Sequence, residues 1–551
     1  MRTTQSVPTE RHRRAVRRFG LPVALPIALP IALVAVAAAT ASAVLTSPTE
    51  AVSTARPFPI DLETATIGQL QQAQVDRRVT SVQLVHAYLD RIEAYNTRGP
   101  SLNAVRVINP AAEDEARRAD GERARGRVRG PLHGVPVLVK DNIDVKGLPT
   151  TAGALALESS RPAGDAFLVG RLRAAGAIIL GKTNLTEFAN FTTAGMPSGY
   201  SGLGGQVLNP YDVSQTPSGS SSGSAVASAT SLAPVTVGTE TSGSILSPSV
   251  ANSLVGVKPT VGLVSRTGIV PIAASQDTAG PIARSVRDAA ALLTALTGVD
   301  PEDPATAGSA GAAGTDYTAG LRTDALRGVR IGVASAPTGN QGTAFGQALD
   351  VLRAQGATVV DVTVDAGNLP PSILTYEFKR DLNSYLARLP ADAPMKTLDD
   401  VVRFNTAHAS EGAIKFGQTQ LTASNQVELD DPATKAAYEA DRDNGIATAR
   451  GRIDSALRAQ SLDAIVFAGS GSAGIGARAQ YPSVAVPIGY DPANGRPFGI
   501  TFLGTAFTEA KLLSYAYGYE QASRLWRPPT AVNPALFRCA VPGRQPHSCA
   551  P

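Results

Sequence analysis

The chain reads as an α/β protein. Short apolar runs of strand length recur along it, and they alternate with longer segments of helical periodicity. Gly134-Val-Pro-Val-Leu-Val-Lys140 is a buried strand ending in a lysine, 165–176 a helix, and Ala177-Ile-Ile-Leu180 another buried strand. With 551 residues, 43 % of them apolar, there is enough chain for one large core or two to three smaller ones.

Residues 1–43 have the layout of an export signal. Arg11, Arg13, Arg14, Arg17 and Arg18 form a basic start, Leu21 to Ala39 is apolar, and Ala41-Ser42-Ala43 offers a small-residue cleavage site. Arg17-Arg18-Phe19 suggests a twin-arginine route. The competing reading is a retained membrane anchor: the apolar run is long enough to span a bilayer, but Pro22, Pro26 and Pro30 interrupt it. The leader carries six Arg and one Glu, so the remainder holds 44 basic and 45 acidic residues, a net charge of −1. That remainder has no nucleic-acid footprint, and it is expected to be secreted or extracytoplasmic without a stable membrane association. Only 5 % of the chain is aromatic, which also argues against base-stacking platforms.

Residues 44–60 are read as a flexible mature N-terminus, 61–528 as the catalytic domain and 529–551 as a tail. Cys539 and Cys549, the only cysteines, both fall in that tail. In an oxidising compartment they are expected to pair, the alternative being two free thiols. The five His are scattered without ligand spacing, so no metal and no cofactor is expected.

Within the domain, Thr80-Ser81 is a cap for a helix through Ile92, and 111–126 is a second, charged helix. Residues 212–251 are dense in Ser and Gly, the composition of a linker. Their order argues otherwise. A tight loop, Pro217 to Ser224, leads into a small-residue helix, Ala225–Leu232; a strand, Val235–Gly238, then leads into a second tight turn, Thr239 to Ser244. Residues 301–322 are Ala/Gly-rich and read as a surface insertion. Val329–Val333, Val359–Val364, Leu462–Phe467 and Ser483–Pro487 have the strand pattern, 343–355 is a helix, 370–460 is mostly helical, and Glu509–Arg524 is the last clear helix.

A lysine at the end of an apolar strand is ordinarily a paired or snorkelling residue. Burial, however, disfavours its ammonium and makes it a base. A serine hydroxyl is a poor nucleophile until a base takes its proton. Glycines beside a serine let backbone N–H groups converge on a developing oxyanion. Lys140 and the two Ser-rich turns therefore supply complementary parts, although each residue alone has a plain turn or surface explanation.

The ordered set of motifs resembles the amidase signature family of serine hydrolases over about residues 60–528. The matching stretches are Leu132-His-Gly-Val-Pro-Val-Leu-Val-Lys-Asp-Asn142, Gly181-Lys-Thr-Asn184, Gly219-Ser-Ser-Ser-Gly-Ser-Ala225, Gly238-Thr-Glu-Thr-Ser-Gly-Ser-Ile245, Gly256 to Leu263, Ser275 to Pro281 and Tyr481 to Pro487. The resemblance implies a large mixed twisted β-sheet covered by helices on both faces. It implies Ser244 as nucleophile, Ser220 as the bridging serine with a cis peptide bond before it, and Lys140 as terminal base. The backbone of Thr241, Ser242, Gly243 and Ser244 becomes the oxyanion hole, and Asp277 and Asn184 hydrogen-bond the surrounding loops. Lys258, in the segment after the nucleophile strand, is another lysine that could serve as the base, and the family comparison favours Lys140. Ser222 and Ser242 stand where relatives more often have other residues, which is expected to alter specificity. Glu240, Gly199 to Gln206 and Phe378 to Asn383 resemble the peptide-amidase-like branch, whose members remove C-terminal amides from peptides. The alternatives are a glutaminase component of a tRNA-dependent amidotransferase and an inactive ligand-binding relative.

Overall fold

The computed structural model describes residues 58–538, apart from 335, 366–368 and 370–371. The leader, residues 44–57 and the Cys539–Cys549 pairing fall outside the described residues.

Eleven strands form one mixed sheet in the order β1-β3-β2-β6-β8-β7-β12-β13-β11-β9-β10. The strands are β1 (Val105–Ile108), β2 (Pro136–Lys140), β3 (Ile178–Thr183), β6 (Val235–Glu240), β7 (Val255–Lys258) and β8 (Thr278–Ala283) on one side. The other side holds β9 (Arg330–Val333), β10 (Thr358–Asp361), β11 (Ala464–Ala468), β12 (Ser483–Tyr490) and β13 (Pro497–Leu503). A small hairpin, β4 (Tyr200–Ser201) and β5 (Gly205–Gln206), stands apart. Every residue of β2, β3, β6, β7 and β8 is buried. Burial of both alternating faces means that the sheet is covered on both sides, which is why the run Val135–Val139 into Lys140 is continuously apolar.

The helices follow their end signals. Thr66 and Thr80 close capping boxes on α1 (Ile67–Val75) and α2 (Ser81–Ile92). The charged segment becomes α3 (Ala112–Ala124), followed by α4 (Phe167–Ala174). The Ser/Gly-rich stretch contains α5 (Ser222–Ala229) and α6 (Leu246–Ala251), with α7 (Val286–Leu296) beyond it. After α8 (Gly339–Ala354), the helical region comprises α9 (Leu374–Ala387), α10 (Leu398–Ala407), α11 (Thr419–Asn425) and α12 (Pro432–Ala459). The chain returns to the sheet around α13 (Ala473–Arg478) and α14 (Glu509–Ser523), and two four-residue turns of helix follow, Pro529–Val532 and Pro534–Phe537. Each begins on a proline with a fixed helical φ, and Phe537 packs edge-on against Tyr95.

The segment 301–322 is anchored to its surroundings. Asp303 pairs with Arg266, Tyr317 N–H donates to Thr294 Oγ1 at 3.0 Å, and the Ser514 hydroxyl donates to Gly320 O at 2.8 Å.

Two apolar clusters matter for the site. The larger runs beneath β2, β3, β6 and β7. A second joins Ala152–Leu157, Phe188–Phe191 and Val270–Ala273 to α9 and α10, so it fixes the loops at one end of the central strands.

Candidate active site

β2 and β6 are adjacent and parallel, with Val139 opposite Val237. Their carboxyl ends therefore emerge side by side, and β8 pairs with the far edge of β6 in the antiparallel sense. In open α/β sheets, ligands bind in crevices outside the carboxyl ends of the strands. Lys140 closes β2; Thr239 and Glu240 close β6; the turn Thr241 to Ser244 follows.

Lys140 is fully buried. Its Nζ donates to Ser220 Oγ at 2.7 Å, to Thr239 Oγ1 at 2.9 Å and to Thr239 O at 3.3 Å. Burial pushes its pKa down from 10.5 to about 7, while the charges of Asp277 and then Glu240 oppose that fall. Lys140 is thus partly neutral near pH 7 and has a hydroxyl within reach. Lys258 is also fully buried and is lowered to about 8 by the same desolvation. Geometry separates the two lysines: Lys258 Nζ donates to the carbonyls of Tyr481, at 2.8 Å, and Pro259.

The loop before α5 carries Ser220 behind a cis Gly219–Ser220 peptide bond. Gly219 is packed so closely that a Cβ there would meet Thr186 Oγ1 at 2.4 Å. The next serines tie the loop down. Ser221 N–H donates to Ser244 O at 3.2 Å, Ser222 Oγ donates to Ser218 O at 2.7 Å, and Ser224 Oγ bonds Thr183 Oγ1 at 2.7 Å. The serine density that resembles a linker is a set of short hydroxyl ties inside the protein. Ser222 is buried among them, whereas Ser242 is exposed on the turn.

Ser244 is 7 % exposed and is followed directly by Ile245 and α6. Gly243 turns at φ 89°, the left-handed region that favours glycine. Glu240 caps the start of α6: its Oε2 accepts from Ile245 N at 2.7 Å and Leu246 N at 2.9 Å. Asp277, half-buried at the cavity wall, accepts the Thr241 hydroxyl on Oδ1 and the N–H groups of Ile272 and Ala273 on Oδ2. Asn184 lies farther out. Its side chain donates to the carbonyls of Asn103 and Gly204 and accepts from Ser201 Oγ, joining the end of β3 to the β4–β5 hairpin.

Sequence reasoning missed three members of this network. Thr239 holds Lys140, Asn142 Nδ2 donates to Thr239 Oγ1 at 3.0 Å, and Ser221 holds Thr239. Thr239 and Asn142 stand within the matching motifs, and their positions beside a strand-end lysine were the available signal. A cavity of about 370 Å³ adjoins them, with Asn142, Asp144, Ala189, Thr239, Thr241 and Asp277 in its wall. Neither Ser220 nor Ser244 lines it; of its wall residues, Thr239 is the one that Lys140 Nζ bonds. Among the described residues no group of His, Cys, Asp and Glu has the arrangement of a metal site, and no helix is long and apolar enough to cross a membrane.

The fold and its relatives define an amide-hydrolysing enzyme. A family model described as Amidase matches residues 83–475. A peptide amidase structure from Stenotrophomonas maltophilia superposes with a TM-score of 0.80 at 46 % identity, covering 86 % of this chain and 99 % of that one. A probable amidase of Arabidopsis thaliana is 40 % identical over 85 % of this chain and 92 % of its own length. A glutamyl-tRNA(Gln) amidotransferase component from Anaeromyxobacter is 35 % identical over 81 % and 93 %, respectively. The chain belongs to the amidase family.

Proposed function

We propose that the protein hydrolyses amides through a Ser244–Ser220–Lys140 relay and an acyl-enzyme, and that its substrates are C-terminal peptide amides. The observation that carries the relay is the 2.7 Å contact between Lys140 Nζ and Ser220 Oγ in a fully buried setting. A charged ammonium there can only donate. A neutral amine accepts the Ser220 proton as Ser220 accepts that of Ser244. Ser244 Oγ then bonds the amide carbon, and the carbonyl oxygen gains the negative charge, facing the backbone of Thr241 to Ser244. Collapse breaks the carbon–nitrogen bond as the relay returns the proton to the leaving nitrogen. Water repeats the sequence on the ester and releases the acid. Asn184 has a framework role in this reading.

The peptide-amide preference draws on the 46 % identity to the peptide amidase and on Glu240, the β4–β5 hairpin and the α9 motif. Export draws on the leader sequence, whose removal leaves a near-neutral protein.

Purified protein assayed on peptide amides, aryl amides, fatty amides and simple carboxamides tests both levels. Ser244→Ala and Lys140→Ala are expected to lose nearly all turnover, with ammonia released chiefly from peptide amides. Full turnover by Ser244→Ala ends the relay assignment. Glutamine-dependent ammonia transfer in the presence of tRNA and a second, co-purifying protein would favour the amidotransferase reading instead. N-terminal sequencing of exported protein that begins after Ala43 supports the leader.

A further inference from the structure

Asp277 is gripped from two directions. Its Oδ1 takes the Thr241 hydroxyl at 2.5 Å, and its Oδ2 takes Ile272 N and Ala273 N at 2.8 and 2.9 Å. The same turn is clamped from the other side by α9, where Asp381 accepts from Ala274 N at 2.9 Å and Glu377 accepts from Ser275 N and Oγ at 3.2 and 2.7 Å. Thr241 opens the turn that ends at Ser244, so the carboxyl is a fixed post for that turn.

The same carboxyl acts on the lysine. Asp277 is the leading charge that favours the Lys140 ammonium, ahead of Glu240. Glu240 has its Oε2 committed to the start of α6 and also acts on Lys258. Thr239 and Thr241 are two residues apart, share one side of the chain leaving β6, and both line the cavity with Asp277. Thr239 meets the lysine and Thr241 meets the carboxyl. Arg266, paired with Asp303, faces Asp277. Asp381, paired with Arg380, opposes its ionisation. Asp144 lies in the cavity wall, bonded to Tyr385 at 2.8 Å, and Lys182 pairs with Asp141.

We propose that Asp277 is a positioning residue that both anchors the Thr241–Ser244 turn and sets the charge state of Lys140, the anionic carboxyl keeping the lysine protonated and the neutral one freeing it. This rests on the Ser–Ser–Lys reading. Burial pushes Asp277 up to about 7, into the window to which it pushes Lys140 down. Both groups therefore change charge in the same pH window. The Thr241 hydroxyl and the two amides favour the anion, so loosening any of them makes Asp277 hold its proton to higher pH.

The pH dependence of fluorophosphonate labelling at Ser244 tests the proposal in full-length protein. Asp277→Asn removes the anion, so the acid limb of the labelling rate is expected to move down by about one pH unit. Thr241→Val, which keeps the carboxyl but removes its hydroxyl donor, is expected to move it the same way by less; it decides the matter if Asp277→Asn does not fold. An acid limb that stays in place or moves up in a folded Asp277→Asn protein overturns the proposal, whatever happens to the maximal rate. Native protein that fails to label at Ser244 removes the relay reading as well. Native labelling with a limb indifferent to Asp277 removes this inference alone.

Discussion

Ser221 and Thr239 are joined twice: the Ser221 hydroxyl donates to Thr239 O at 3.0 Å and accepts from Thr239 N–H at 3.1 Å. One side chain thereby occupies the place of a neighbouring strand at the end of β6. It fixes the loop bearing Ser220 against the residue that holds Lys140.

Ser221→Ala leaves both Thr239 backbone groups buried without these partners. A loss of about 2 kcal/mol in unfolding free energy is expected, measured by urea denaturation. Turnover is expected to fall more than KM rises, because in the proposed mechanism this loop bears the proton relay.

The native pH–rate profile is expected to have an acid limb near pH 7. Lys140 is lowered to about 7, so activity falls as pH drops through that value and the ammonium forms. Lys258→Met is expected to keep this limb, since Lys258 bonds carbonyls. Lys140→Met is expected to lose activity at every pH. A kcat/KM profile for the three proteins checks both statements.

Glu187 offers a stability test away from the lysine. It is buried, and desolvation raises it to about 7 despite hydrogen bonds from Gly202 N–H and Thr192. Its folded pKa lies above its unfolded value, so the folded state binds more protons between about 4.5 and 7, and this group's contribution falls as pH rises through that window. Glu187→Gln is expected to gain stability relative to native protein on going from pH 5 to pH 8, by up to about 3 kcal/mol. Paired urea titrations at the two pH values give the difference; an equal offset at both contradicts it.

Gly243→Ala forces a side chain onto a residue at φ 89° and brings its Cβ to 3.0 Å from Ser247 Oγ. The turn must shift, and a loss of about a hundredfold in kcat is expected, comparable to losing an oxyanion donor. Steady-state kinetics with a peptide amide measures it.

Much of the fold was legible because apolar runs and end signals agree. Thr80, the run into Lys140 and the Val235 strand all mark elements found in the structure. β8 was not legible as a strand. Gly280 and Pro281 are residues that ordinarily argue against a central strand. Here β8 lies between β6 and β7, with Gly280 opposite Gly238 and Pro281 opposite Val237. A Cβ on Gly280 would meet Val257 O at 2.1 Å. Close backbone approach selects the glycine, and no period-2 pattern reports that. At the site, the contact of Lys140 with Ser220 spans 80 positions and that with Thr239 spans 99. Composition and spacing yielded candidate parts, while the ordered motifs of the resemblance linked them. Thr239 and Asn142 remained unread because their roles depend on which strand ends are neighbours.

The complete burial of Lys140 has a consequence for inactivation. Its neutral, proton-accepting form is maintained by dryness, so in the proposed relay water admitted to the end of β2 is itself an inhibitor. Solvation restores the ammonium without touching a reacting atom. Core substitutions that loosen the packing around Val137 or Val139 would therefore silence the enzyme while the chain is still folded, and heating would do the same. Activity would fade at a lower temperature than the cooperative loss of secondary structure, and cooling would restore it.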